Sequence, residues 1–184
     1  MRYPAEETAE KHEKILSEAT RLFREKGFAG VSVGELMKSA GLTHGPFYNH
    51  FASKEALMSE VVESAMQRSA GTMDKYCADA NGKGKYLDVY LSTKHRDARG
   101  EGCPMAAMAV EVGRDKALQA PFTRQLQATV EKMTGCFRWK SKRSARSEAI
   151  RATAAMVGAL ILARAVENET FSKEILHEVR KGLL

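Results

Sequence analysis

Thr43, His44, Tyr48, Asn49, His50 and Lys54 crowd six hydrogen-bonding side chains into one short stretch of this chain. Amides and imidazoles of this kind pair with the edges of bases, and phenols and ammonium groups hold phosphate. A solvated surface helix would use the same residue types. That plainer reading accounts poorly for Gly45, because glycine inside a helix costs about 1 kcal/mol against alanine. Close approach of the backbone to another molecule would give the glycine a purpose.

Two short helices with a tight turn must position these groups. Ser32 followed by Glu35 is a capping-box signature, and Val33, Leu36, Met37 and Ala40 then recur at helical spacing. Gly41 stands where a helix stop needs a left-handed residue, and Leu42 plugs the turn. Thr43 is expected to cap the second helix, with Pro46 in its first turn, where a missing N–H costs little. Phe47 and Phe51 lie four apart and share its buried face. The arrangement describes a helix-turn-helix whose second helix suits a major groove. An earlier stripe of Ile15, Ala19, Leu22 and Phe23, stopped by Gly27, closes a small head over Leu36, Leu42, Phe47 and Phe51.

The segment GLTHGPFYNHFASKEAL resembles the recognition segment of TetR-family transcriptional repressors. Those proteins carry a glycine turn, an aromatic-Tyr-x-His-Phe run and a Ser-Lys-Glu start to a long helix. Here Phe47-Tyr48-Asn49-His50-Phe51 and Ser53-Lys54-Glu55 match, and with the helix before them the likeness covers residues 8–58. Pro46 departs from the pattern, which often has Thr or a small residue there. The resemblance implies an all-α fold of about nine helices. Residues 1–52 would form a three-helix DNA-binding head, and residues 53–184 a helical ligand-binding and dimerisation domain. It implies contact with double-stranded DNA by Ser32, Val33, Thr43, His44, Gly45, Phe47, Tyr48, Asn49, His50 and Lys54. It further implies a homodimer on a palindromic operator, released by a small-molecule effector.

The remainder of the chain also reads as helical. A long helix is expected from Ser53 to about Cys77, broken by Asn81-Gly82-Lys83-Gly84, then a helix over residues 85–93 and a charged loop from His95 to Gly102. Helices follow over residues 103–112, 117–137, 145–168 and 172–182. From Ala152 to Ala165 the chain is apolar nearly all round, so that helix must be covered on every side. A second copy of the chain would cover it through Ala155, Gly158, Ala159, Leu162 and Leu176; a central core helix within one subunit is the alternative. Met66, Met73, Tyr86, Tyr90, Cys103, Met105, Met108, Phe122 and Met133 are candidate effector contacts, since methionine suits adaptable binding surfaces. The same residues at helical spacing would equally build a core.

The formal net charge of +6 suits a polyanionic partner, but the basic excess lies in the Arg138–Arg143 run and beyond, which reads as a solvated connector. Cys77, Cys103 and Cys136 are widely spaced and form no CxxC pair, which argues for a reducing cytosol and against a disulfide framework or zinc ribbon. Gly102-Cys103-Pro104 opens a helix, where a thiolate is stabilised. Similar Gly-Cys segments followed by a Glu, here Glu111, occur in TetR-like electrophile sensors, so a thiol-sensing repressor acting through Cys103 is the alternative function. The polar, acidic N-terminus is unlike a signal peptide, and residues 152–163 are too short to span a bilayer. The five histidines lack HExxH spacing, and no GxSxG, Walker or GxGxxG motif occurs. A cytoplasmic non-enzyme with no cofactor and no metal is expected.

Overall fold

The structure, a computed structural model, describes residues 5–184, so the first four residues of the expected 1–52 unit lie outside it. Ten α-helices and one 3₁₀ helix make up the regular structure of the described residues, with no strand. Helix α1 (Ala5–Lys26) buries Ile15, Leu16, Ala19, Leu22 and Phe23 along one face. It stops at Gly27, whose φ of 76° is left-handed. A methyl group there would also come within 2.9 Å of the Glu111 carboxylate. Helix α2 (Val33–Ser39) begins as its sequence dictates: the Ser32 hydroxyl accepts the Glu35 amide at 3.2 Å. It ends at Gly41, φ 68°.

Helix α3 (Lys54–Gly71) is capped by Ser53, whose hydroxyl accepts the Ala56 amide. It stops short of the expected end near Cys77. Gly71 is a weak helix former, and the Thr72 hydroxyl donates back to the Ser69 carbonyl at 2.7 Å. A separate turn, α4 (Asp74–Cys77), follows. Helix α5 (Gly82–Tyr90) starts inside the expected break. Part of the expected charged loop is instead α6 (Thr93–Asp97), because Ser92 caps it by accepting the His95 amide at 3.1 Å. Helices α7 (Pro104–Val112), α8 (Lys116–Cys136), α9 (Ala145–Ala165) and α10 (Glu169–Leu183) lie close to their expected places.

Cys77 and Cys136, 59 residues apart in sequence, are joined as a disulfide between the ends of α4 and α8. This corrects the expectation against a disulfide framework, and it removes the cysteine argument for a reducing compartment. Spacing gave no signal, since only the packing of α4 on α8 brings the two together.

Two apolar clusters hold the fold. One joins α1, α2, Phe47 and Phe51 to Leu57, Val61 and Val62 of α3, to Met108 and Val112 of α7, and to Leu118 of α8. The core of the head is therefore continuous with the helices behind it. The second gathers α5, α8, α9 and α10 around Leu87, Met133, Met156 and Leu160. Polar ties reinforce the junction. The Glu111 carboxylate accepts the Phe28 amide at 2.9 Å, and Arg24 donates to the Gly100 and Gly102 carbonyls at 3.2 and 3.1 Å. No helix of the described residues is long and apolar enough to cross a membrane.

Candidate nucleic-acid interface and effector cavity

The second helix of the head is a five-residue 3₁₀ segment, Gly45–Asn49, rather than an α-helix. Pro46 lacks an amide donor and Gly45 weakens helix propagation, so the chain takes the tighter i→i+3 pattern. The Phe47 amide donates to the His44 carbonyl at 3.2 Å and the His50 amide to the Phe47 carbonyl at 2.9 Å. His44, not Thr43, holds the N-cap, and no side chain caps it.

Phe47 is fully buried and packs on Phe51 at 5.7 Å between ring centroids. It anchors the segment and cannot itself touch a ligand, which corrects its expected place among the contact residues. Val33 is half-buried against the same core. Anchoring the aromatic pair inward leaves Thr43, His44, Gly45, Tyr48 and Asn49 outward, with Tyr48 64% exposed. Gly45 has open space where a side chain would sit. A methyl group at Gly34 in α2 would lie 3.7 Å from the His44 ring and 4.0 Å from the exposed Ser32 hydroxyl.

His50 turns inward. Its ring faces His12 at 6.3 Å, its Nδ1 is buried without a partner, and burial, aided by the nearby His12 and Lys11, holds its pKa below the usual histidine range. Lys54 is half-buried and donates to the Phe28 carbonyl at 2.7 Å, so its ammonium group ties α3 to the end of α1. Burial likewise lowers the pKa of His95. A histidine kept neutral by the fold favours the native state above its unfolded pKa, and that advantage is lost as pH falls below about 6.5. The urea midpoint should therefore drop between pH 7.5 and pH 5, and a His50→Gln, His95→Gln double variant should flatten that slope.

Behind the head lies a cavity of about 780 Å³. It is bounded by the C-terminal half of α1, the end of α3, α4, α5, α6 and the loop that leads to α7. Arg21, Arg24, Arg68, Lys75, Lys94 and His95 line it beside Tyr76, Tyr86 and Tyr90, with Asp88 and Glu101 as its carboxylates. Of the nine expected effector contacts, only Tyr86 and Tyr90 line it. Met66, Met73, Cys103, Met105 and Met133 are packed in the α5–α8–α9 cluster, Met108 sits in the head cluster, and half-buried Phe122 packs against both. Their helical spacing built core. The cationic lining was missed because its members come from α1, α3, α4 and α6, far apart in sequence.

Residues 15–61 match the family model for bacterial regulatory proteins of the tetR family. The HTH-type regulator YerO of Bacillus subtilis is 39% identical over 74 residues, 40% of this chain and 26% of that protein. LmrA of the same organism is 29% identical over 171 residues, 86% of this chain and 88% of its own. The reduced form of E. coli NemR superposes with a TM-score of 0.77 at 18% identity, over 95% of each chain. The head of this chain, residues 15–61, belongs to the TetR family. The chain spans half or less of the length of several relatives that match its head, 26% of YerO, 50% of DhaR and 27% of AcrR.

Behind this TetR-family head, Cys103 is 1% exposed at the N-cap of α7. The amides of Met105 and Ala106 and the hydroxyl of Tyr90 favour its thiolate, but burial outweighs them and pushes the thiol pKa up. Glu111, expected as a sensing partner, is engaged with the Phe28 amide. Titration with an aromatic disulfide reagent should find almost no reactive thiol in the native protein, and one thiol after denaturation without reductant. Rapid labelling of native Cys103 would contradict that expectation.

Helix α9 is not covered on every side within the subunit. Ala149, Ala152, Met156, Ala159, Leu160 and Ala163 face the core, while Ile150, Ile161 and Leu162 are 48%, 37% and 57% exposed. Phe171 at the start of α10 is 50% exposed. Ala155 and Gly158 are half-buried, and nothing lies within 4 Å of a methyl group placed on Gly158. Ala159 and Leu176, expected at a dimer interface, are 2% and 3% exposed inside the subunit. They belong to its core and leave Ala155, Gly158 and Leu162 on the open side.

Proposed function

We propose that this chain is a DNA-binding transcriptional repressor of the cytoplasm. It acts as a homodimer on a palindromic operator and is released by a small-molecule effector. The observation that carries the reading is the outward set Thr43, His44, Tyr48 and Asn49. It is held on a short helix by buried Phe47 and Phe51, with Gly45 open for close approach. A relative from Mycobacterium, DhaR, 28% identical over 99 residues, is described as a repressor. Tyr48 holds phosphate, and His44 and Asn49 lie nearer the base edges. The exposed apolar face of α9 and the start of α10 supports the dimer, because a contiguous apolar surface of this kind marks an association site. Two-fold protein symmetry then requires two-fold operator symmetry.

Footprinting on the DNA that flanks the chain's own gene, with and without candidate effectors, tests this reading. A protected inverted repeat is expected, with protection lost on adding an effector. Tyr48→Ala should weaken binding to operator and random duplex alike, about tenfold, and lower the salt dependence by about one unit, as loss of a phosphate contact does. Asn49→Ala should instead relax sequence preference by about 1–3 kcal/mol at one base pair. Tyr48→Ala with unchanged affinity for both duplexes would remove the phenol from the interface.

A further inference from the structure

The cavity behind the head holds positive charge that the protein does not neutralise. Arg24, Arg68, Lys75 and Lys94 form no ion pair among the described residues. Asp88 is taken by Arg180, and Arg21 is held by Glu18 and Glu25. Glu101 remains as the cavity's other carboxylate. Unpaired lysines on an open surface are ordinary, but Arg24 is not on an open surface. Its Nη1 is fixed by the carbonyls of Gly100 and Gly102, and its Nε is buried without an acceptor. The Nε and Nη2 edge of a guanidinium is the one that takes a carboxylate or phosphate side-on, and neither atom has a partner here. Burial disfavours the charge on Arg24, nearby Arg68 repels it, and the Glu101 carboxylate lies near enough to favour it without forming an ion pair with either arginine.

The opposite wall is aromatic. Tyr76 meets Tyr86 edge-on at 5.7 Å, and Tyr86 lies 5.9 Å from Tyr90. The Tyr90 hydroxyl is buried without a hydrogen bond, although the Cys103 thiol lies beside it. A buried donor left without a partner destabilises the fold unless a ligand supplies one, and Arg24 and Tyr90 both line the same space. The volume falls in the ordinary range for small-molecule sites.

We propose that this cavity binds a small organic anion, with a carboxylate or phosphate group between Arg24 and Arg68 and an aromatic body against Tyr76, Tyr86 and Tyr90. The inference rests on the effector-released reading above and names the chemical class of its effector. It also gives that reading a route to the head. Arg24 belongs to α1, and its bonds to Gly100 and Gly102 tie α1 to the loop before α7. An anion that takes up the free edge of Arg24 competes for the orientation those bonds impose. Only differential binding to two arrangements of this junction can shift the head.

Calorimetric titration of the full chain with phenyl phosphate tests the proposal, with inorganic phosphate and benzyl alcohol as controls for the charge and for the ring. Phenyl phosphate should bind at least tenfold more tightly than either control. Arg68→Gln, at an exposed position that leaves folding intact, should weaken it at least tenfold, and Arg24→Gln at least as much. Binding no tighter than that of benzyl alcohol, or binding undiminished in Arg68→Gln, would overturn the proposal. Duplex affinity measured in the same samples separates the two readings. Arginine-dependent binding that leaves duplex affinity unchanged supports the anion site and defeats release by this effector. Release by some other compound, equal in wild type and in Arg68→Gln without anion binding in either, supports release and overturns this site.

Discussion

Replacing Gly158 with arginine should give a folded monomer that has lost its operator. No atom lies within 4 Å of a methyl group placed at this position, so a single subunit accommodates the side chain. Removing a glycine from the interior of α9 also favours the helix by roughly 1 kcal/mol. The cost falls entirely on association. Gly158 lies on the open side of α9 with Ile161 and Leu162, and a guanidinium pressed there against a second copy would be buried without a counter-charge. Such burial costs several kcal/mol. One head alone keeps half of the base contacts and loses the effective concentration of a linked half-site, so operator affinity should fall by roughly 10²–10⁴-fold. Sedimentation and far-ultraviolet dichroism together check this. A stable dimer with wild-type affinity would move the interface away from α9.

Phe47→Ala carries the largest expected effect on stability. The ring is fully buried between Phe51 and the edge of Tyr48, in the cluster that runs from α1 through α3 to α7. Truncating a buried phenylalanine costs about 3–5 kcal/mol, a large share of the 5–15 kcal/mol of a whole domain. The five-residue 3₁₀ segment has little else to hold it, since no side chain caps it and Pro46 donates no hydrogen bond. Binding to every duplex should disappear, and urea unfolding should move to a much lower midpoint. Because the cluster is shared with α3 and α7, the loss should register in the whole transition and not in the head alone. An unchanged midpoint would mean that the aromatic anchor is dispensable.

Much of the head was legible because its signals are local. The Ser32 cap, the left-handed stops at Gly27 and Gly41, and the i,i+4 aromatic pair each act over a few residues, and each stands where its sequence placed it. The 3₁₀ character of Gly45–Asn49 was not legible, because Pro46 is acceptable in the first turn of either helix type. The break after Gly71 escaped because apolar spacing continues across it to Met73, while a threonine–backbone bond ends the helix. Methionine and aromatic spacing could not tell a pocket wall from a core. Met66, Met73 and Met108 proved to be core, and the cavity is lined by cations drawn from helices far apart in the chain. Lys54 shows the same limit. Its charge suggested phosphate, whereas the fold sets its ammonium group on the Phe28 carbonyl.

Selection of bound duplexes from a random pool, followed by sequencing, tests the central claim most directly. If two copies of the chain place Thr43–Asn49 in successive major grooves, the enriched sequences should converge on an inverted repeat. Its half-site centres should lie one helical turn, about 10 base pairs, or a multiple of it apart. Enrichment of asymmetric single sites, or of no sequence at all, would contradict a dimeric repressor that reads DNA through this face.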